Sequence, residues 1–132
     1  MATIDVIEYI TIATTGNSAD FGDLTVDRHS KGASSDGTKG IFGGGVPSTS
    51  DVIDYVNIAS TGDATDFGNL SVGRQDTPAG LSDGTKGLFG GGYISADSNI
   101  IDYVTIASLG DASDFGDLSV ARSQVGGGAS GD

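Results

Sequence analysis

The chain has 132 residues, with 18 acidic side chains against 6 basic ones for a net charge of -12, no cysteine, and glycine at 23 positions. Such acidity repels phosphate backbones and anionic lipid surfaces, which argues against a nucleic-acid partner. The missing cysteine excludes disulfides and thiolate sites, and the abundance of Gly, Ser, Thr and Asp suits short strands and tight turns rather than long helices.

The opening segment Met1-Ala-Thr-Ile-Asp-Val-Ile-Glu-Tyr9 lacks a basic stretch and carries Asp5 and Glu8 inside its apolar run. It does not read as a secretory signal. No apolar run approaches the ~18 residues of a membrane span, so membrane insertion is not expected.

From Ile7 to Arg28 runs a segment that returns, with small changes, from Ile53 to Arg74 and from Ile101 to Arg122. A period of about 40 to 50 residues points to propeller blades or another stacked β architecture. Each copy opens on a strand, as in Val52-Ile-Asp-Tyr-Val-Asn-Ile58, whose two faces both carry apolar side chains. A strand of that kind is covered on both sides.

A turn at Ala59-Ser-Thr-Gly62-Asp63 leads into a second strand in which Phe67, Leu70 and Val72 are the expected buried residues. Gly68 within it predicts a bulge or a close backbone approach. Between copies, residues 32–45 and 80–92 repeat the pattern Asp-Gly-Thr-Lys-Gly-(Ile/Leu)-Phe-Gly-Gly-Gly after a run of small residues. Asp36-Gly37 and Asp83-Gly84 predict two-residue hairpin turns, and the small residues fit a crowded inner strand.

The expected fold is therefore all-β, one domain over residues 1–132, built from four-stranded antiparallel units. The order small strand, hydrophobic strand ending in glycines, Tyr-bearing strand and aromatic-bearing strand resembles the kelch repeat. Gly44-Gly45 and Gly91-Gly92 match its glycine pair, Tyr55 and Tyr103 its tyrosine, and Phe67 and Phe115 stand where kelch has tryptophan. The resemblance implies propeller-blade-like units. The phrases Phe-Gly-Gly-Gly, Ile-Asp-Tyr-Val-Thr-Ile-Ala-Ser and Asp-Phe-Gly-Asp-Leu-Ser-Val-Ala-Arg are also similar to repeats of tail-fibre-like structural proteins of tailed, notably aquatic, bacteriophages. That likeness implies a virion or extracellular structural role and no catalytic residue.

One unit is split between the two ends of the chain. Val6, Ile7, Tyr9 and Ile10 offer a strand at the N-terminal side, and Val125, Gly126, Gly127 and Gly128, within a closing segment 123–132, offer its complement. The complement is satisfied within one chain, in a ring of copies, or in a head-to-tail filament. A homo-oligomer or filament is the leading expectation.

The remaining chemistry is sparse. The lone His29 has no second histidine or cysteine to make a metal site with, and the glycine triplets lack the Gly-Lys-Ser/Thr of a phosphate loop. Asp63, Asp66, Asp111, Asp114 and Asp117 are the residues that would hold a Ca2+, but Arg122 stands where a calcium loop needs its bidentate acid. No cofactor is expected. Carboxylates repeated unit after unit argue against an enzyme, because catalysis breaks repeat symmetry.

Arg28, Arg74 and Arg122 recur at one position and are expected to fork onto a carboxylate such as Asp54 or Asp102, or onto backbone carbonyls between units. The alternative is a set of sugar or carboxylate contacts. For a carbohydrate-binding module, the second function class, the candidate residues are Tyr93, Asp97 and Arg74, since an exposed aromatic beside polar groups suits surface glycans.

Overall fold

A computed structural model describes residues 4–76, 79–124 and 126. It is all-β, with ten strands paired antiparallel in three sheets and no helix among the described residues. The first sheet holds β1 (Val6–Tyr9) and β2 (Ala19–Asp23). In the second, β3 (Gly32–Ser35), β4 (Lys39–Gly43), β5 (Val52–Asn57) and β6 (Thr65–Asn69) lie in sequence order. The third repeats this with β7 (Ala79–Ser82), β8 (Lys86–Gly90), β9 (Ile100–Thr105) and β10 (Ser113–Asp117). The three sheets do not close into a barrel or ring among the described residues.

The hairpins differ in one detail from the expected Asp-Gly turn. Asp36 N–H donates to the Lys39 carbonyl, so the two central residues are Gly37 and Thr38, and Gly37 has φ of 85°. Glycine at the first central position with φ above zero is the type II′ arrangement. The aspartate sits just outside it, accepting from the Thr38 and Lys39 amides at 2.8 and 2.7 Å. Asp83 does the same for Thr85 and Lys86.

The predicted bulge is present in all three sheets. Ile53 pairs with Gly68 and Asp54 with Asp66, so Phe67 is the extra residue, as Phe21 and Phe115 are in their own sheets. The bulge turns each phenylalanine edge-on to the tyrosine of the neighbouring strand. Tyr9–Phe21, Tyr55–Phe67 and Tyr103–Phe115 all have ring centroids 6.0 Å apart and interplanar angles of 75 to 84°, the T-shaped geometry that aromatic quadrupoles favour.

The core lies between the second and third sheets. Ile41, Ile53, Phe67 and Leu70 from one meet Phe89, Val104 and Ile106 from the other, all buried. This explains why β5 and β9 are apolar on both faces. The small inner strands come closest: Ser34 Oγ donates to the Leu81 carbonyl at 2.6 Å, and a Cβ on Gly80 would lie 1.6 Å from the Ala33 carbonyl oxygen. Only glycine fits there. The expectation of a crowded inner strand thus has a direct structural cause.

Candidate assembly interface

Successive sheets meet through one joint, made twice. At the first, the Phe21 and Asp23 carbonyls accept from Gly62 N–H and Ala64 N–H, each at 2.7 Å, and Asp23 N–H donates to the Asp63 carboxylate at 3.1 Å. At the second, Phe67 and Asn69 accept from Gly110 and Ala112 at 2.9 and 2.7 Å, and Asn69 N–H donates to Asp111 at 3.0 Å. The edge strand of one unit is thereby bonded to the β-turn loop of the next.

Glycine is required at the bulge for a second reason. Gly22 and Gly68 have φ of 147° and 148°, and a Cβ on either would lie 2.3 or 2.4 Å from the carbonyl oxygen of Gly62 or Gly110. The backbones touch where a side chain would stand.

An arginine locks each joint. Arg28, from the loop after β2, pairs with Asp54 of the following sheet at 2.7 Å, and its guanidinium also donates to the carbonyls of Phe42, Gly44 and Val52. Arg74 pairs with Asp102 at 2.9 Å and donates to the Phe89 carbonyl. Both guanidiniums are buried, with side chains 1 % and 0 % exposed, as are both acids. The Thr25 and Ser71 hydroxyls donate to the second oxygen of the same carboxylates, so each acid is held by the unit before it.

Burial pulls both guanidiniums below their usual range, with the partner acid partly offsetting it. They remain charged, since arginine does not deprotonate in proteins. Burying ions costs several kcal/mol each, and pairing with added hydrogen bonds offsets that cost. The clamp therefore fixes how units stack more than it adds net stability. It also gathers like charge: desolvation, then the neighbouring carboxylates Asp5, Asp63, Asp20 and Asp27, lift Asp23 above the ordinary carboxylate range.

The third unit carries the same residues with nothing seated on them among the described residues. Phe115 is 53 % exposed where Phe67 is 2 %. Gly116 has φ of 142° and open space where a Cβ would be. Arg122 is exposed, and among the described residues its side chain makes one hydrogen bond, from Nε to the Val120 carbonyl at 3.3 Å. At the opposite end, Glu8 occupies the position of Asp54 and Asp102 and is exposed, with Gly16, Asn17 and Ser18 in the places of Gly62, Asp63 and Ala64. Among the described residues β1 pairs with β2 alone, whereas its counterparts β5 and β9 each pair on both sides.

Of the expected assembly residues, the N-terminal set lies on this open unit. Val6, Ile7 and Tyr9 are in β1 and Ile10 follows it, Val6, Tyr9 and Ile10 being exposed and Ile7 half-buried. Gly126 is exposed, while Val125, Gly127 and Gly128 lie outside the described residues.

Of the residues considered for a glycan, Arg74 is fully buried in its clamp and does not reach the surface. Tyr93 is half-buried and forms backbone bridges with Gln75 and Asp97, which brings Tyr93 and Asp97 together but spends the former on joining the loops. A shallow groove beside Tyr103, Ser108, Asp111 and Ser113 contains neither. Asp63 and Asp111, considered for calcium, are used by the joint amides, and no group of three metal-ligating side chains occurs among the described residues. His29 Nδ1 lies 3.1 Å from Ser30 Oγ.

Sequence reasoning foresaw the arginine-to-carboxylate fork, but not that it runs from one unit to the next. The signal was present in the acid at the second position of each copy, Glu8, Asp54 and Asp102, with Glu in place of Asp in the first. No family model matches the chain, and no curated protein is similar to it.

Proposed function

We propose that the chain is a non-enzymatic structural module that associates with copies of itself, as a component of a fibre, virion appendage or extracellular filament. The observation that carries this reading is that, among the described residues, the outer edge of β1 has no partner strand and is flanked by the exposed apolar side chains Val6, Tyr9, Ile10 and Ile12, the last 94 % exposed. Open strand edges with apolar neighbours are templates for pairing with another chain. Blade-like units stacked in series suit such a role, and the resemblance of the repeat wording to tail-fibre-like structural proteins supports a virion or extracellular setting.

Light scattering over a concentration series tests the reading. A mass that exceeds one chain and depends on concentration is expected, and removal of residues 123–132 is expected to abolish it while β circular dichroism persists. A mass of one chain at every concentration would refute self-association.

A further inference from the structure

The geometry points to a head-to-tail docking surface in which the exposed end of the third unit receives the first unit of a second copy, repeating the internal joint between molecules. This rests on the self-association proposed above and specifies its register. The Arg122 guanidinium of one copy pairs with the Glu8 carboxylate of the next, as Arg28 does with Asp54 and Arg74 with Asp102. The carbonyls of Phe115 and Asp117 accept from Gly16 and Ser18, as those of Phe21 and Asp23 do from Gly62 and Ala64.

A second copy fits because its first unit bears the groups that the joint uses. Asn17 replaces Asp63 and keeps a side-chain oxygen to accept from the Asp117 amide; Ser18 replaces Ala64 without adding bulk beyond a hydroxyl; Glu8 keeps the charge of Asp54. Gly116 supplies the missing Cβ that the close backbone approach demands, at the one bulge glycine where the space is open among the three. The exposed Phe115, whose counterpart Phe67 is 2 % exposed in the covered joint, is the apolar surface the contact covers.

Among the described residues the first unit has no strand in the place of β4 or β8 to offer counterparts of the Phe42, Gly44 and Phe89 carbonyls that surround the internal arginines. Glu8 is the charged partner that the first unit itself brings to Arg122. Charge exchange therefore isolates the contact.

The experiment is sedimentation of the full chain as wild type, Arg122→Glu, Glu8→Arg, and an equimolar mixture of the two variants. Both substitutions fall at exposed positions, and circular dichroism checks that each variant is folded. Like charges placed across the contact are expected to weaken self-association by at least about tenfold, and mixing the variants is expected to restore complexes, because the reversed pair forms between them. Gly116→Ala is expected to block association independently of charge. Wild-type self-association that both charge variants retain would overturn this joint while leaving self-association intact. Variants that weaken association but do not recover on mixing would overturn the pairing. A wild type that stays a single chain would overturn both the joint and the reading beneath it.

Discussion

Gly68 and Gly110 meet backbone to backbone: the space where a Cβ of Gly68 would stand is 2.4 Å from the Gly110 carbonyl oxygen. Gly116 has the same φ and the same place in its bulge, with nothing within 4 Å. Alanine at either site bears the backbone strain of positive φ, of order 1–3 kcal/mol. Only at residue 68 does it also force two sheets apart, adding about 1–3 kcal/mol of overpacking. Urea titrations of Gly68→Ala and Gly116→Ala at low protein concentration are expected to differ by that margin, with Gly68→Ala the weaker fold. Equal midpoints would show that the sheets yield at no cost.

The arginines offer a parallel contrast in charge. Replacing Arg74 by Met leaves Asp102 buried with the Ser71 amide and hydroxyl as its remaining donors, a loss expected to reach about 3–5 kcal/mol. Arg122→Met at low concentration is expected to stay within about 0.5 kcal/mol of the parent, as exposed substitutions do. Thermal melts of the two variants side by side decide the matter.

Two aspartates set part of the acid limb of stability. Hydrogen bonds from the turn amides, chiefly those of Lys39 and Lys86, hold Asp36 and Asp83 below the usual carboxylate range. A lowered folded-state value means that the unfolded chain takes up the proton first. Their contribution is therefore present above about pH 4 and lost as pH falls through the lowered values. Stability measured from pH 6 to pH 2 is expected to fall less steeply in Asp36→Asn/Asp83→Asn than in the parent. An unchanged slope would mean that other carboxylates control the acid transition.

The inner strands are the least forgiving site. Gly80→Ala drives a methyl into the Ala33 carbonyl at 1.6 Å, and the loss is expected to be larger than for Gly68→Ala. Soluble expression compared with Gly16→Ala, whose Cβ meets nothing within 4 Å and whose φ, like that of Gly80, is not positive, separates this collision from the shared effect of losing a glycine.

Much of the architecture was legible because each feature has a local cause. Apolar residues on both faces of 52–58 announced a strand covered on both sides, and Gly68 announced the bulge. The hairpin was placed correctly, but its turn was shifted by one residue, because Asp36 serves as an amide acceptor outside the turn rather than as a turn residue. The site was harder to see. That Arg74 is buried while Arg122 is exposed follows from what stacks on each, and the near-identical wording around the two arginines does not show which of them is covered. Tyr93 lies outside the repeating tyrosine register, and its backbone forms bridges to Gln75 and Asp97 that local sequence does not announce, with its side chain half-buried.

The clamp gives the array a property of its own. Because Arg28 and Arg74 each serve an acid in the following copy, the segment that recurs in sequence is offset from the body that is held together in space. A duplicated segment inserted anywhere in the series brings one arginine for the acid downstream and one acid for the arginine upstream. Gene duplication can lengthen such a protein without redesigning any contact, and its length is free to drift while its joints stay the same.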